Sequence, residues 1–254
     1  MTNQYEPNMP AQPLSRVKSK AGIKWGPDAL KRYPDLCCIV MDTISLGSQI
    51  EYNWSVIIVD LLRAEPRAGM AMYEALAGGE ARRAALMAAS RVSLPKNDYL
   101  LVQAVEKALA PTRRNRNNFA HQIWGISDEV PDALMLINPA ALREFEVGVA
   151  TTNFEMSRGR KAKMFPDLDR ASVMVWKKRD LEEARSSTID ALSILATLTG
   201  ALNQSYPVPG ISAQARRQIL RWPQVAQALQ HSNKKKTPPT PPQPRGARRP
   251  AKPK

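Results

Sequence analysis

From Pro34 to Pro66 the apolar positions recur at helical spacing. Leu36, Ile39, Val40, Ile44, Leu46 and Ile50 repeat every few residues, and Trp54, Ile57, Ile58, Leu61 and Leu62 continue the series. That period predicts a long amphipathic helix, with Gly47 as a break or kink inside it and Pro66 ending or restarting the run. The next stretch, MAMYEALAGGEARRAALMAASRV, is alanine-rich and predicts helix interrupted at Gly78–Gly79. Ser93 and Pro95 then open a helix whose inward stripe is Leu101, Val105, Ala108 and Leu109. Pro111 closes it, and Thr112 is placed to cap the following one.

The pattern changes after residue 124. DALMLINP (132–139) and SVMVWKK (172–178) are short β-prone runs that can pair as a small ribbon. The segment between them reads as irregular and basic, and includes RGRKAK (158–163). Helical spacing returns in DLEEARSSTIDALSILATLTGALN, with Asp180 as N-cap and Leu192, Leu195, Ala196 and Leu202 as core candidates. A short helix in SAQARRQILRWPQVAQAL precedes the tail, and no internal repeat is present. The expected fold class is mainly α: a helical bundle with a small β-ribbon insertion and disordered basic termini.

Composition changes this picture in two ways. The 254 residues, 43% of them hydrophobic, suffice for one substantial core. The most apolar stretch, SVIIVDLL (55–62), is short and carries Asp60, so no membrane association is expected. The first thirty residues lack an apolar signal-like region, and the adjacent Cys37 and Cys38 offer no metal-ligand spacing and suit a reducing compartment. A cytoplasmic location without metal or cofactor is the expectation. The net charge of +14 is concentrated at the ends: residues 233–254 hold eight Lys/Arg and no acid, and residues 1–32 hold six against Glu6 and Asp28. The body, 33–232, has a balance of only +2. This divides the chain into a disordered basic arm (1–32), a helical domain (33–231) and a disordered Lys/Arg/Pro-rich tail (232–254). Such arms attach salt-sensitively to nucleic acid or acidic proteins, or act as solubilising tails.

The candidate chemistry lies in RRNRNNFAHQIW, residues 113–124, which holds one of the two histidines, His121. Asn117 and His121 are four apart and share a helix face, Arg116 is adjacent, and Arg114 is two turns before the histidine. Arginine stays charged and grips phosphate through paired hydrogen bonds, while an imidazole exchanges protons near neutrality. These groups fit phosphodiester cleavage without a metal. The plain alternative is a solvated arginine-rich turn between helices.

Arg-Asn-x-x-x-His after an amphipathic helix and before Trp124 resembles the motif of the HEPN superfamily, helical bundles of which many are RNases and others are non-catalytic. RNNFAH (116–121) fits its Arg-x4-6-His pattern with four intervening residues, and RNRNNFAH (114–121) fits with six; Arg116 is the favoured register. The resemblance covers roughly 35–125 and 180–202, and the β-prone insertion and both arms lie outside it. It implies a metal-independent endoribonuclease, as in bacterial toxins and defence components, working as a homodimer with a composite cleft. His121 would act in proton transfer, Arg116 would bind the scissile phosphate, and Asn117 would position groups. Arg113 and Arg114 are placed to contact substrate, and Trp124 either packs across the bundle, the commoner role for an aromatic beside a helix, or stacks on a base of the substrate. RNA is the implied substrate, and an antitoxin or nucleotidyltransferase the implied protein partner. The alternative it carries is a non-catalytic module binding nucleotide, RNA or protein.

Other residues carry less. His231 borders the basic tail, where a surface role is expected. Glu106 and Asp128 flank the motif without forming a carboxylate pair, and Trp54, Trp176 and Trp222 read as core or interface residues. Neither a phosphate-binding Gly-rich loop nor a dinucleotide fingerprint is present.

Overall fold

The computed structural model describes residues 11–160, 165–203 and 211–234. In chain order it contains β1 (Gln12–Pro13), α1 (Leu14–Val17), β2 (Lys24–Trp25), α2 (Asp28–Arg32), α3 (Pro34–Leu62), α4 (Pro66–Ala75), α5 (Gly78–Ser93), α6 (Lys96–Ala108) and α7 (Ala110–His121). It continues with β3 (Ile123–Ser127), β4 (Val130–Ile137), α8 (Pro139–Ser157), β5 (Met174–Lys177), α9 (Lys178–Asn203), α10 (Ala213–Ile219) and α11 (Pro223–Lys234). The architecture is mainly helical, with a small antiparallel sheet of order β1-β5-β4-β3-β2. Among the described residues no helix is long and apolar enough to cross a membrane.

The long helix α3 is the spine of the bundle. Its Ile50, Trp54, Ile57, Ile58 and Leu61 pack into one core with Leu101 and Val105 of α6 and Ile194, Leu195 and Leu198 of α9. Burying each such side chain contributes about 1.5–3 kcal/mol. Leu101, Val105 and Leu109 are buried as their spacing predicts. On α9 the inward positions are Ile194, Leu195 and Leu198, whereas Ala196 is exposed. A second link is polar: the buried Asp98 of α6 accepts the Ile211 N–H at 3.0 Å and pairs with Arg216 of α10.

The two β-prone runs do pair, with Leu134 opposite Trp176 and Met135 opposite Val175. The ribbon is nevertheless part of a larger sheet buried on both faces. Leu134, Leu136 and Trp176 face a core shared with Leu36, Ile39, Val40 and Phe119. Ala133, Met135, Ile137 and Val175 face the other way, against Leu14, Ala21 and Leu142. A strand covered on both faces reads as a continuous apolar run, which is why ALMLI lacks alternation.

Residues 11–32 depart from the disordered arm expected of them. They supply both edge strands: β1 pairs with β5 and β2 with β3, and the chain between them lies over one face with Leu14 and Ala21 fully buried. Pro13 is tolerated because it sits on an edge strand, where a missing N–H need not break the ladder. Trp25 lies over Gly125, where a Cβ would come within 2.5 Å of the indole ring. Asp128 adds ion pairs to Lys24 at 2.7 Å and Arg32 at 2.5 Å, and these hydrogen-bonded cations, Lys24 first, hold its carboxyl below the usual range. Residues 1–10 of the expected arm and 235–254 of the expected tail lie outside the described residues, while 232–234 end α11.

Other local expectations change. Gly47 breaks nothing, since α3 runs through it. Pro111 opens α7 rather than closing α6, at a position where its absent N–H costs no helical bond. Thr112 therefore lies inside α7, buried, and is not a cap. Asp180 is in the first turn of α9 and accepts the Lys177 N–H at 3.0 Å. Residues 139–157 form a helix, α8, capped by Asn138 accepting from the Ala140 N–H at 2.8 Å. Its inward stripe is nearly absent: Leu142 is its one fully buried residue, while Val147, Phe154 and Met156 are exposed. Residues 161–164 of RGRKAK lie outside the described residues.

Candidate functional site

The motif helix α7 is anchored at its C-terminal end. Phe119 is buried, meets Trp176 edge-on with centroids 4.7 Å apart, and lies 5.9 Å from the Trp124 ring. These contacts pin the last turn of α7 to the sheet, so His121, two residues on, is exposed at a defined place. The N-terminal end is fixed electrostatically. Buried Glu106 of α6 receives Arg113 of α7 at 2.6 Å and Arg83 of α5 at 3.0 Å, tying three helices to one carboxylate.

Between these anchors, α3, α5 and α7 enclose an open cavity of about 430 Å³. Gly47, Ser48 and Glu51 of α3, Gly79 and Arg82 of α5, and Arg113, Arg116, Asn117 and His121 of α7 are among its walls. Helical geometry explains the selection from α7: residues 112, 113, 116 and 117 fall on one face, and 121 continues it one turn later. The Arg116 Nη1 donates to Asn117 Oδ1 at 3.2 Å, which orients the guanidinium and leaves the Asn117 NH2 group as a donor. Among the described residues the Arg116 Nε and the Arg82 Nε are buried without a hydrogen-bond partner. Buried donors of this kind are rare in folded proteins, and here both belong to cations on one cavity.

Gly47 makes the position of Arg116 possible. A Cβ at residue 47 would lie 2.5 Å from Arg116 Cγ and 3.1 Å from its Cβ. Those atoms are the root of the side chain: the Cγ can clear the added carbon only by a change of χ1, and the Cβ only by a small shift of α7 against α3. The glycine is a place of close approach between two helices.

Behind the cavity wall formed by Glu51 and Arg82, Tyr73 of α4 is buried and its hydroxyl donates to Glu51 Oε2 at 3.4 Å. Burial, reinforced by the Glu51 carboxylate and partly offset by Arg82, pushes the Tyr73 hydroxyl up to about 12. Arg82 lies with its guanidinium carbon 5.0 Å from the centre of the Tyr73 ring. A cation over an aromatic face keeps its charge and its in-plane donors for another partner.

The structure thus brings Arg116, Asn117 and His121 to one cavity and separates other expected site residues from it. Arg114 is exposed and is not among the cavity walls; its seven-residue offset from His121 is not enough once the helix face is set by Arg113 and Arg116. Trp124 is also absent from those walls: it sits in β3, donates its indole N–H to the Phe119 carbonyl at 3.2 Å and packs on the Phe119 ring. Arg113 reaches the cavity but is already committed to Glu106. Gly47, Glu51 and Arg82 were not legible as site residues. An isolated glycine within a strong helical pattern was the one available signal, and it indicates close packing as readily as a break. Comparison with models of known families, with characterised proteins and with solved structures finds no match.

Proposed function

We propose that this protein is a metal-independent endoribonuclease of HEPN type, with Arg116, Asn117 and His121 as its active-site residues. The observation that carries the reading is their convergence, on one face of α7, in a cavity that also holds a second arginine without a carboxylate partner among the described residues. The helical surroundings of the motif, with α3 and α9 packed beside α7, support the family reading. The cavity suits RNA phosphate because guanidinium groups stabilise the charge that builds on the phosphoryl oxygens.

In this reaction the RNA 2′-oxygen attacks the adjacent phosphorus as the bond from phosphorus to the 5′-oxygen breaks. His121 takes the 2′-hydroxyl proton, and the leaving 5′-oxygen gains one. The products are a 2′,3′-cyclic phosphate and a 5′-hydroxyl. Each chain places one imidazole at its cavity, so a homodimer with facing cavities would supply both proton-transfer groups. DNA lacks the nucleophile and should resist.

A second reading draws on the same fact. One imidazole per cavity serves a module that binds nucleotide or RNA without cleaving it as well as it serves half of a composite active site. Cleavage of labelled RNA in excess chelator, parent against His121→Ala, separates the two. Loss of cyclic-phosphate products by about 10²-fold or more in the variant is expected of general acid–base catalysis. Equal cleavage by both proteins would sink the nuclease assignment, and tight binding with no turnover by the parent would establish the module.

A further inference from the structure

We infer that Arg82 forms a second anion subsite in this cavity, so that the site holds a nucleic-acid strand at two neighbouring phosphates rather than one. The inference rests on the reading of the cavity as an RNA site, but asks only about binding. It begins from the difference among the three arginines on the walls. Arg113 is neutralised by buried Glu106 at 2.6 Å. Among the described residues Arg82 and Arg116 are not so held: each has a buried Nε without a partner, and each enters from a different helix, α5 and α7. Arg116 and His121 come from α7, whereas Arg82 reaches the cavity from α5.

The surroundings of Arg82 fit this role. The carboxylate on the same cavity, Glu51, is engaged by the Tyr73 hydroxyl, and no ion pair joins it to Arg82 among the described residues. Arg82 instead rests on the Tyr73 ring, a contact that keeps its charge and leaves its terminal Nη donors for a ligand. On the same helix and the same cavity, Gly79 has open space where a side chain would begin. The volume, about 430 Å³, falls in the range of pockets that take whole small ligands and exceeds what a single phosphate group requires. Successive phosphates on a single strand are the ligand that offers two anions at a fixed separation, and basic grooves that track such backbones are common in single-strand binding.

The test is binding of a fluorescent 2′-deoxydinucleotide, which cannot be cleaved, with no terminal phosphate or with one added at the 5′ or the 3′ end. The full chain, Arg82→Gln and Arg116→Gln are compared by anisotropy at low salt, with circular dichroism confirming that each variant is folded. Arg82→Lys serves as a second variant that keeps the charge. In the parent, a terminal phosphate at one end should tighten binding about tenfold, as one added charge-assisted contact would. Arg82→Gln should reduce that ratio to below about twofold, Arg82→Lys should retain part of it, and Arg116→Gln should weaken all probes while keeping the ratio. An undiminished ratio in Arg82→Gln overturns the inference, as does equal weakening of all probes by both glutamine variants, which would mean one shared phosphate. Failure of the parent to bind any probe overturns it too. If the ratio collapses as expected while RNA is not cleaved, the subsite stands and the nuclease reading falls.

Discussion

Two clusters of arginine lie within a few residues of each other and have opposite surroundings. Around Glu106, Arg83 and Arg113 meet a buried carboxylate and lock α5 and α7 onto α6. In the neighbouring cavity, Arg82 and Arg116, from the same two helices, retain buried Nε groups without partners among the described residues. The first cluster joins three helices, and the second lines the cavity between two of them and α3. Charge count along the chain does not distinguish them. What distinguishes them is which face of each helix a residue occupies and whether a carboxylate waits there.

The sharpest way to break this comparison is to remove Arg116, with Arg114, which belongs to neither cluster, as the control. Arg116→Ala should lower RNA cleavage by about 10²–10³-fold, as loss of a donor to developing negative charge does elsewhere. Arg114→Ala should stay within about twofold of the parent, since its side chain is exposed and away from the cavity. Cleavage rates measured at saturating and limiting RNA decide the matter, and equal losses in the two variants would overturn the Arg116 register.

Gly47→Ala is expected to have the next largest effect. The added methyl must displace the root of Arg116, costing about 1–3 kcal/mol as overpacking and reducing cleavage by about tenfold. Thermal unfolding and cleavage read it together. Alanine favours helix over glycine by about 1 kcal/mol, so a more stable and fully active variant would show that α3 and α7 separate easily.

Glu106→Gln sharpens the other side. Loss of charge-assisted bonds to Arg83 and Arg113 should cost about 2 kcal/mol and lower Tm by about 4–8 °C for a chain of this size. An unchanged Tm would show that the three helices do not depend on this carboxylate.

The smallest effect is at alkaline pH. The folded Tyr73 hydroxyl is raised to about 12 from an unfolded value of 10.0, so its contribution to stability is complete below pH 10 and is lost as pH rises through about 12. Denaturant midpoints between pH 9 and 11.5 should fall less in Tyr73→Phe than in the parent. Parallel declines would show that Tyr73 ionises as easily folded as unfolded.

Much of the bundle was legible because α3, α6 and α9 carry apolar positions at the helical period, and helices with a strong inward stripe announce themselves. Helix α8 did not, because Leu142 alone of its residues is fully buried. The N-terminal strands did not either. Their two-residue lengths carry no period, and their stability comes from pairing with β5 and β3 some 100 or more residues away.

The chain by itself determined that a mainly helical body would form and that Arg116, Asn117 and His121 would lie along one helix, since both follow from local spacing. It could not determine which arginines would be neutralised, that Gly47 would admit Arg116, or that Arg82 would join it across a cavity. Those outcomes depend on contacts between α3, α5, α6 and α7, where separation in sequence gives no guide to distance. Only packing decided which cations kept unpartnered donors.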